Sequence, residues 1–136
     1  MIFTCDGNEI RPILEIFEVP ENAKSLVLMV DDPDAPGGSF IHWLLWNIKP
    51  KNQTIGKNGL PEGVIEGRSE TGKAEYIAPC PPSGTHVYLF KLYAIDIVLP
   101  DDPTLNKKII RKMIEGHIIE RTILRGFYER AHSENF

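Results

Sequence analysis

Cysteine is scarce: Cys5 and Cys80 are the two in 136 residues. So few thiols exclude a disulfide-stapled secreted scaffold, and both are expected to be reduced, as in the cytoplasm. Long apolar runs are missing too. No stretch approaches the roughly 20 apolar residues that cross a bilayer as a helix. The opening "MIFTCDGNEI" lacks the basic start and apolar segment of a secretory signal, so the mature chain is expected to begin at Met1. Basic charge is in deficit, with 15 Lys and Arg against 19 Asp and Glu and a net charge of −4. That balance argues against nucleic acid as a partner, because clustered Lys and Arg supply most affinity for a phosphate backbone. Neither a nucleophile elbow nor a repeated metal-ligand spacing occurs, so no catalytic residue, metal or cofactor is assigned. Internal repeats and low-complexity tracts are absent.

What is present suits an ordinary folded domain. With 42% apolar and 25% charged residues, the chain is read as one domain, 1–136, with one core. Strand patterns dominate. "ILEIFEV" (13–19) is short and β-rich, and "SLVLMV" (25–30) is a continuous apolar run of the length of a strand buried on both faces, hence a central one. In "FIHWLLWNI" (40–48), period 2 puts Phe40, His42, Leu44, Trp46 and Ile48 on one face, with Ile41, Trp43, Leu45 and Asn47 on the other. "HVYLFKLYAIDIVL" (86–99) is the longest strand pattern, and His86, Tyr88, Phe90 and Leu92 share a face of it. Residues 49–75, rich in Gly and Pro, read as a covering loop. A helix is predicted with Asp102 as N-cap and Pro103 at its first position, with Ile109, Ile110, Met113, Ile114 and His117 at helical spacing. Beyond Gly116, "IERTILRGFYER" favours strand. The late basic stretches "NKKIIRK" and "ERTILRGFYER" read as a solvated face, with an anionic headgroup or acidic partner as the alternative.

Chemistry concentrates in two loops. "DDPDAP" follows the central strand, and Pro33 and Pro36 restrain the backbone so that its acids are held in place. By local rules Asp31, Asp32 and Asp34 either cap their own turn or form one wall of a site. "APCPPSGTH" is a second Pro/Gly loop, ending on His86. One Asp and two His offer three chemistries: anion binding by imidazole donors, a metal site of the two-His-one-carboxylate kind, or a hydrolase-like nucleophile in which His86 or His42 assists Cys80.

Taken together, "LVLMVDDPDAP", "HWLLWNI", "YIAPCPPSGTHVYLFKLYAID", "GHI" and "RGFYER" resemble the phosphatidylethanolamine-binding protein family, also called Raf kinase inhibitor-like proteins, in its short bacterial and archaeal form. The likeness runs from about Phe3 to Arg130, and its two long blocks appear in the family's order and spacing. It implies a mainly β, antiparallel, Greek-key-like β-sandwich, with a large central sheet on a smaller one and a C-terminal α-helix. It also implies a binding module with a small pocket for phosphate or phosphorylethanolamine-like anions. Carried over, Asp32, His42, His86 and Tyr88 are the pocket residues, and Ala35, Pro36, Pro81 and Pro82 shape its rim. Ile77 and Ala78 stand where glycines are common in the family, which narrows the expected mouth, and Val87 replaces a common arginine. The implied partners are membrane headgroups or a kinase or protease held in check, and exposed edge strands leave room for a homodimer.

Overall fold

The computed structural model describes residues 1–6, 13–32, 40–56, 59–67 and 85–129. Strands β1 (Ile2–Asp6), β2 (Ile13–Phe17) and β5 (Gln53–Ile55) form a small antiparallel sheet in the order β1-β2-β5. A larger antiparallel sheet runs β6-β4-β3-β7-β8, from β6 (Ile65–Glu66) through β4 (Phe40–Ile48), β3 (Ser25–Asp32) and β7 (Thr85–Ile95) to β8 (Ile118–Glu129). Helix α1 (Lys107–Ile114) lies between β7 and β8 in the chain.

Burial explains the layering. Leu26, Leu28 and Val30 of β3 join Trp43, Leu45, Phe90, Leu92 and the small-sheet residues Leu14, Ile16 and Ile55 in one core. The alternate residues Val27 and Met29 join Leu44, Trp46, Tyr93 and Ile95 in a second core, closed by Ile110 and Ile114 of α1. An apolar run without alternation is therefore the pattern β3 requires, because water reaches neither face. The expected central strand, second sheet and C-terminal helix are all found. Of residues 49–75, expected as a covering loop, the described part (49–56 and 59–67) supplies one short strand to each sheet, β5 and β6.

The even alternation expected along β4 is broken twice. Leu26 pairs with Ile48 and Leu28 with Leu45, so β4 holds one residue more than β3 between those pairs. Asn47 takes up the extra residue at φ 57°, and Ile48 returns to the core of Leu45 instead of following Trp46. Near the other end, Val30 pairs with Trp43 but Asp31 with Ile41, which leaves His42 as an inserted residue. Each is a bulge, a device that twists and re-aims a strand.

The helix begins later than predicted. Its N-cap is Asn106, whose Oδ1 accepts from Ile109 N at 2.9 Å. Asp102 instead closes the preceding turn, its Oδ1 accepting from Thr104 N at 3.0 Å and Thr104 Oγ1 at 2.6 Å, and so it competes with the helix for the chain. Ile110 and Ile114 face the core, whereas Ile109 is exposed, and His117 lies past the helix end. Gly116, at φ 82°, turns the chain into β8 as His117 N donates to Ile114 O at 2.8 Å.

Candidate functional site

Four of the residues singled out in the sequence converge at one end of the large sheet. Asp32 is the last residue of β3, and Phe40, opposite it, is the first of the antiparallel β4. The register between β3 and β7 runs to Asp31 opposite Leu89, so Tyr88 and Asp32 are the next positions on neighbouring strands. Adjacent strands lie about 5 Å apart, so these backbone positions are neighbours across the sheet. The pairing of β7 with β8 is continuous from Thr85 to Ala94, and His86 and Tyr88 therefore keep the strand phase of Phe90 and Leu92. His42 is the inserted residue of the bulge on β4. The rim positions Ala35, Pro36, Pro81 and Pro82 lie outside the described residues, as do Asp34, Ile77, Ala78 and Cys80.

The wall at β4 is braced from its edge. Trp43, which follows His42 and is fully buried, donates its Nε1 hydrogen to Glu66 Oε2 at 2.6 Å. Glu66 stands on β6 opposite Leu45, and Gly67 N donates to Leu44 O at 2.8 Å, continuing the strand contact. No side chain fits at residue 67, because a Cβ there would meet Trp46 Cζ3 at 2.4 Å. The indole–carboxylate bond ties β4 to β6 at the residue that follows the bulge at His42.

Asp31 does not cap a turn. It is 1% exposed, and its Oδ2 lies 3.3 Å from Lys107 Nζ at the start of α1 and 3.4 Å from Lys91 Nζ on β7. Its phase is that of Val27 and Met29, the helix side of the sheet, whereas Asp32 has the phase of Val30. The two adjacent aspartates thus stand at positions of opposite strand phase. Sequence reasoning missed this cluster, although a signal was available: Lys91 is the single charge within "YLFKLYAI", and a charge in a buried strand requires a partner of opposite sign. Lys107 was read as part of the solvated basic stretch. Its neighbours Lys108, Arg111 and Lys112 are exposed and bear that reading out.

Comparisons with known proteins cover nearly the whole chain. Residues 2–129 match the profile of the family described as phosphatidylethanolamine-binding protein. A UPF0098 protein of Pyrococcus horikoshii is 45% identical, the alignment covering 94% of this chain and 69% of that protein. One from Methanothermobacter thermautotrophicus is 42% identical over 95% of this chain and 89% of its own length. Among solved structures, a Chlamydia trachomatis protein described as a homolog of phosphatidylethanolamine-binding protein superposes with a TM-score of 0.83 at 38% identity, covering 89% of this chain and 82% of that one. YbcL of E. coli, described as a member of the mammalian PEBP family, gives 0.78 at 28% identity, with 93% and 98% covered.

Proposed function

Because the chain belongs to the phosphatidylethanolamine-binding protein family, we propose that it binds small phosphate-bearing anions of the phosphorylethanolamine kind at the end of the large sheet. The observation that carries this reading is the convergence of Asp32, His42, His86 and Tyr88 on three neighbouring strands, although the chain separates them into two distant motifs. Their chemistry is complementary to such a ligand. Imidazoles and a phenol donate hydrogen bonds to phosphate oxygens, and a carboxylate accepts from an ammonium group. Ala35, Pro36, Pro81 and Pro82 complete the rim in this reading. The pocket is a binding site in which no covalent step occurs, and Cys80 takes no nucleophilic role. Binding couples to the regulation of a partner protein, a kinase or a protease, or to anionic headgroups at a membrane surface. The sparse cysteines suit work in the cytoplasm, and the edge of β8 offers a place for a second copy.

The test is calorimetric titration with phosphorylethanolamine and with inorganic phosphate, on the wild type and on His86→Ala. Imidazole is protonated below about pH 6.5 and then donates from both nitrogens, so affinity is expected to be higher near pH 6 and to fall toward about pH 8. His86→Ala should abolish binding of both ligands. Absence of binding to the wild type at millimolar ligand at either pH refutes the reading, and elemental analysis for a bound metal is then the next measurement.

A further inference from the structure

Asp31 is the one buried charged side chain among the described residues. Its Oδ2 receives two ammonium groups from different elements, Lys91 of β7 and Lys107 of α1, while Oδ1 has no partner among the described residues. A buried carboxylate requires such pairing, yet a well-packed apolar trio of the same volume would generally stabilise a fold as well or better. The cluster therefore calls for a reason beyond stability. Its place supplies one. Asp31 is the last residue of β3 paired on both sides, with Ile41 on β4 and Leu89 on β7, and the next residue is Asp32. Lys91 and Lys107 are themselves largely buried, their side chains 16% and 17% exposed, so the cluster is little screened by solvent.

We propose that Asp31, Lys91 and Lys107 form a positioning unit that holds the end of β3 in register with the starts of β4 and β7, and so sets the backbone of Asp32 in the anion pocket. The inference rests on the reading of that end of the sheet as the pocket. The unit works from the helix side, behind the wall, and touches no ligand. Severing it frees the last rung of β3, where the three strands meet.

The sign of the effect separates positioning from simple electrostatics. Removing the charge of Asp31 makes the local field more positive by one unit, and that field alone would draw phosphate in more tightly. Positioning requires the opposite. Inorganic phosphate is titrated into the wild type, Asp31→Asn, Lys107→Met and the exposed control Lys108→Met, and amide hydrogen exchange is measured on each. Asp31→Asn is expected to bind phosphate about 2- to 30-fold more weakly. It should exchange faster at Asp32, Phe40 and Ile41, with Val27 and Met29 unchanged, and Lys108→Met should match the wild type in both respects. Phosphate affinity equal to or above that of the wild type, or an unchanged exchange profile, overturns the proposal. If Asp31→Asn does not fold, Lys107→Met carries the same two readouts through the helix arm alone. If the wild type itself does not bind phosphate, the pocket reading fails, and exchange at the three strand-end amides still decides whether the unit holds this end of the sheet.

Discussion

Asn47 is a single residue on which a bulge, a loop and the second core all depend. It lies at φ 57°, and its side chain makes a reciprocal pair with Leu99, Leu99 N donating to Oδ1 at 2.9 Å and Nδ2 donating to Leu99 O at 2.8 Å. Leu99 is 4% exposed and packs in the core that α1 closes. Truncation to alanine removes both bonds and strands two backbone groups, at about 1–3 kcal/mol each. Alanine in the left-handed region adds about 1 kcal/mol. Asn47→Ala is therefore expected to lose about 3–7 kcal/mol, a large share of a typical stability of about 5–15 kcal/mol. For a chain of this length that corresponds to a fall in Tm of about 10–25 °C. Asn47→Gly loses the same bonds without the steric term and should be about 1 kcal/mol less damaged. Asn47→Asp keeps the acceptor and loses the donor, so about 1–3 kcal/mol is expected. Urea unfolding followed by the fluorescence of buried Trp43 and Trp46 measures all three, with a constant m-value required for the comparison. The reasoning is refuted if glycine proves worse than alanine, or if all three lie within about 0.5 kcal/mol of the wild type.

Other substitutions probe the elements that frame the site. Gly67→Ala drives a methyl into Trp46, whose indole is fixed by donation to Pro100 O at 2.9 Å, and should destabilise by about 1–3 kcal/mol in the same unfolding assay. Asn106→Ala should cost about 1 kcal/mol as loss of the N-cap, measured by thermal unfolding, whereas Asp102→Ala should cost less because Asp102 caps only an exposed turn. Thr104 donates from its hydroxyl and its amide to Asp102 and holds that carboxyl below its ordinary pKa. A lowered folded pKa means that the turn's contribution is complete above the unfolded value and is lost as pH falls through the folded one. An NMR titration of Asp102 checks this, with Thr104→Ala expected to move the pKa upward.

Much of this protein was legible from residue patterns because those patterns report local needs. The unbroken apolar run of β3 required burial on both faces, and it lies in the middle of the large sheet. The bounds of β4 follow its apolar and aromatic residues, and β8 follows Thr122 and its β-favouring neighbours past Gly116. The two motifs also pointed to Asp32, His42, His86 and Tyr88 through the rigidity of their loops and the resemblance they carry. Less could be read where long-range partners compete with local rules. Asp102 has the chemistry of an N-cap but is occupied by Thr104, so Asn106 takes the role. The strict alternation of β4 fails at His42 and Asn47, because a bulge is a mismatch between two strands and neither strand encodes it alone.

The sequence by itself determined the β class, the central strand, the family and the two motifs, all of which follow from side-chain type and spacing along the chain. Tertiary structure decided which face each residue serves and which distant residues meet. Asp31 and Asp32 are neighbours of the same type, yet pleating sends their positions to opposite layers. The pairing of β7 with β3 brings Lys91 to the first of them, and the packing of α1 on the large sheet brings Lys107.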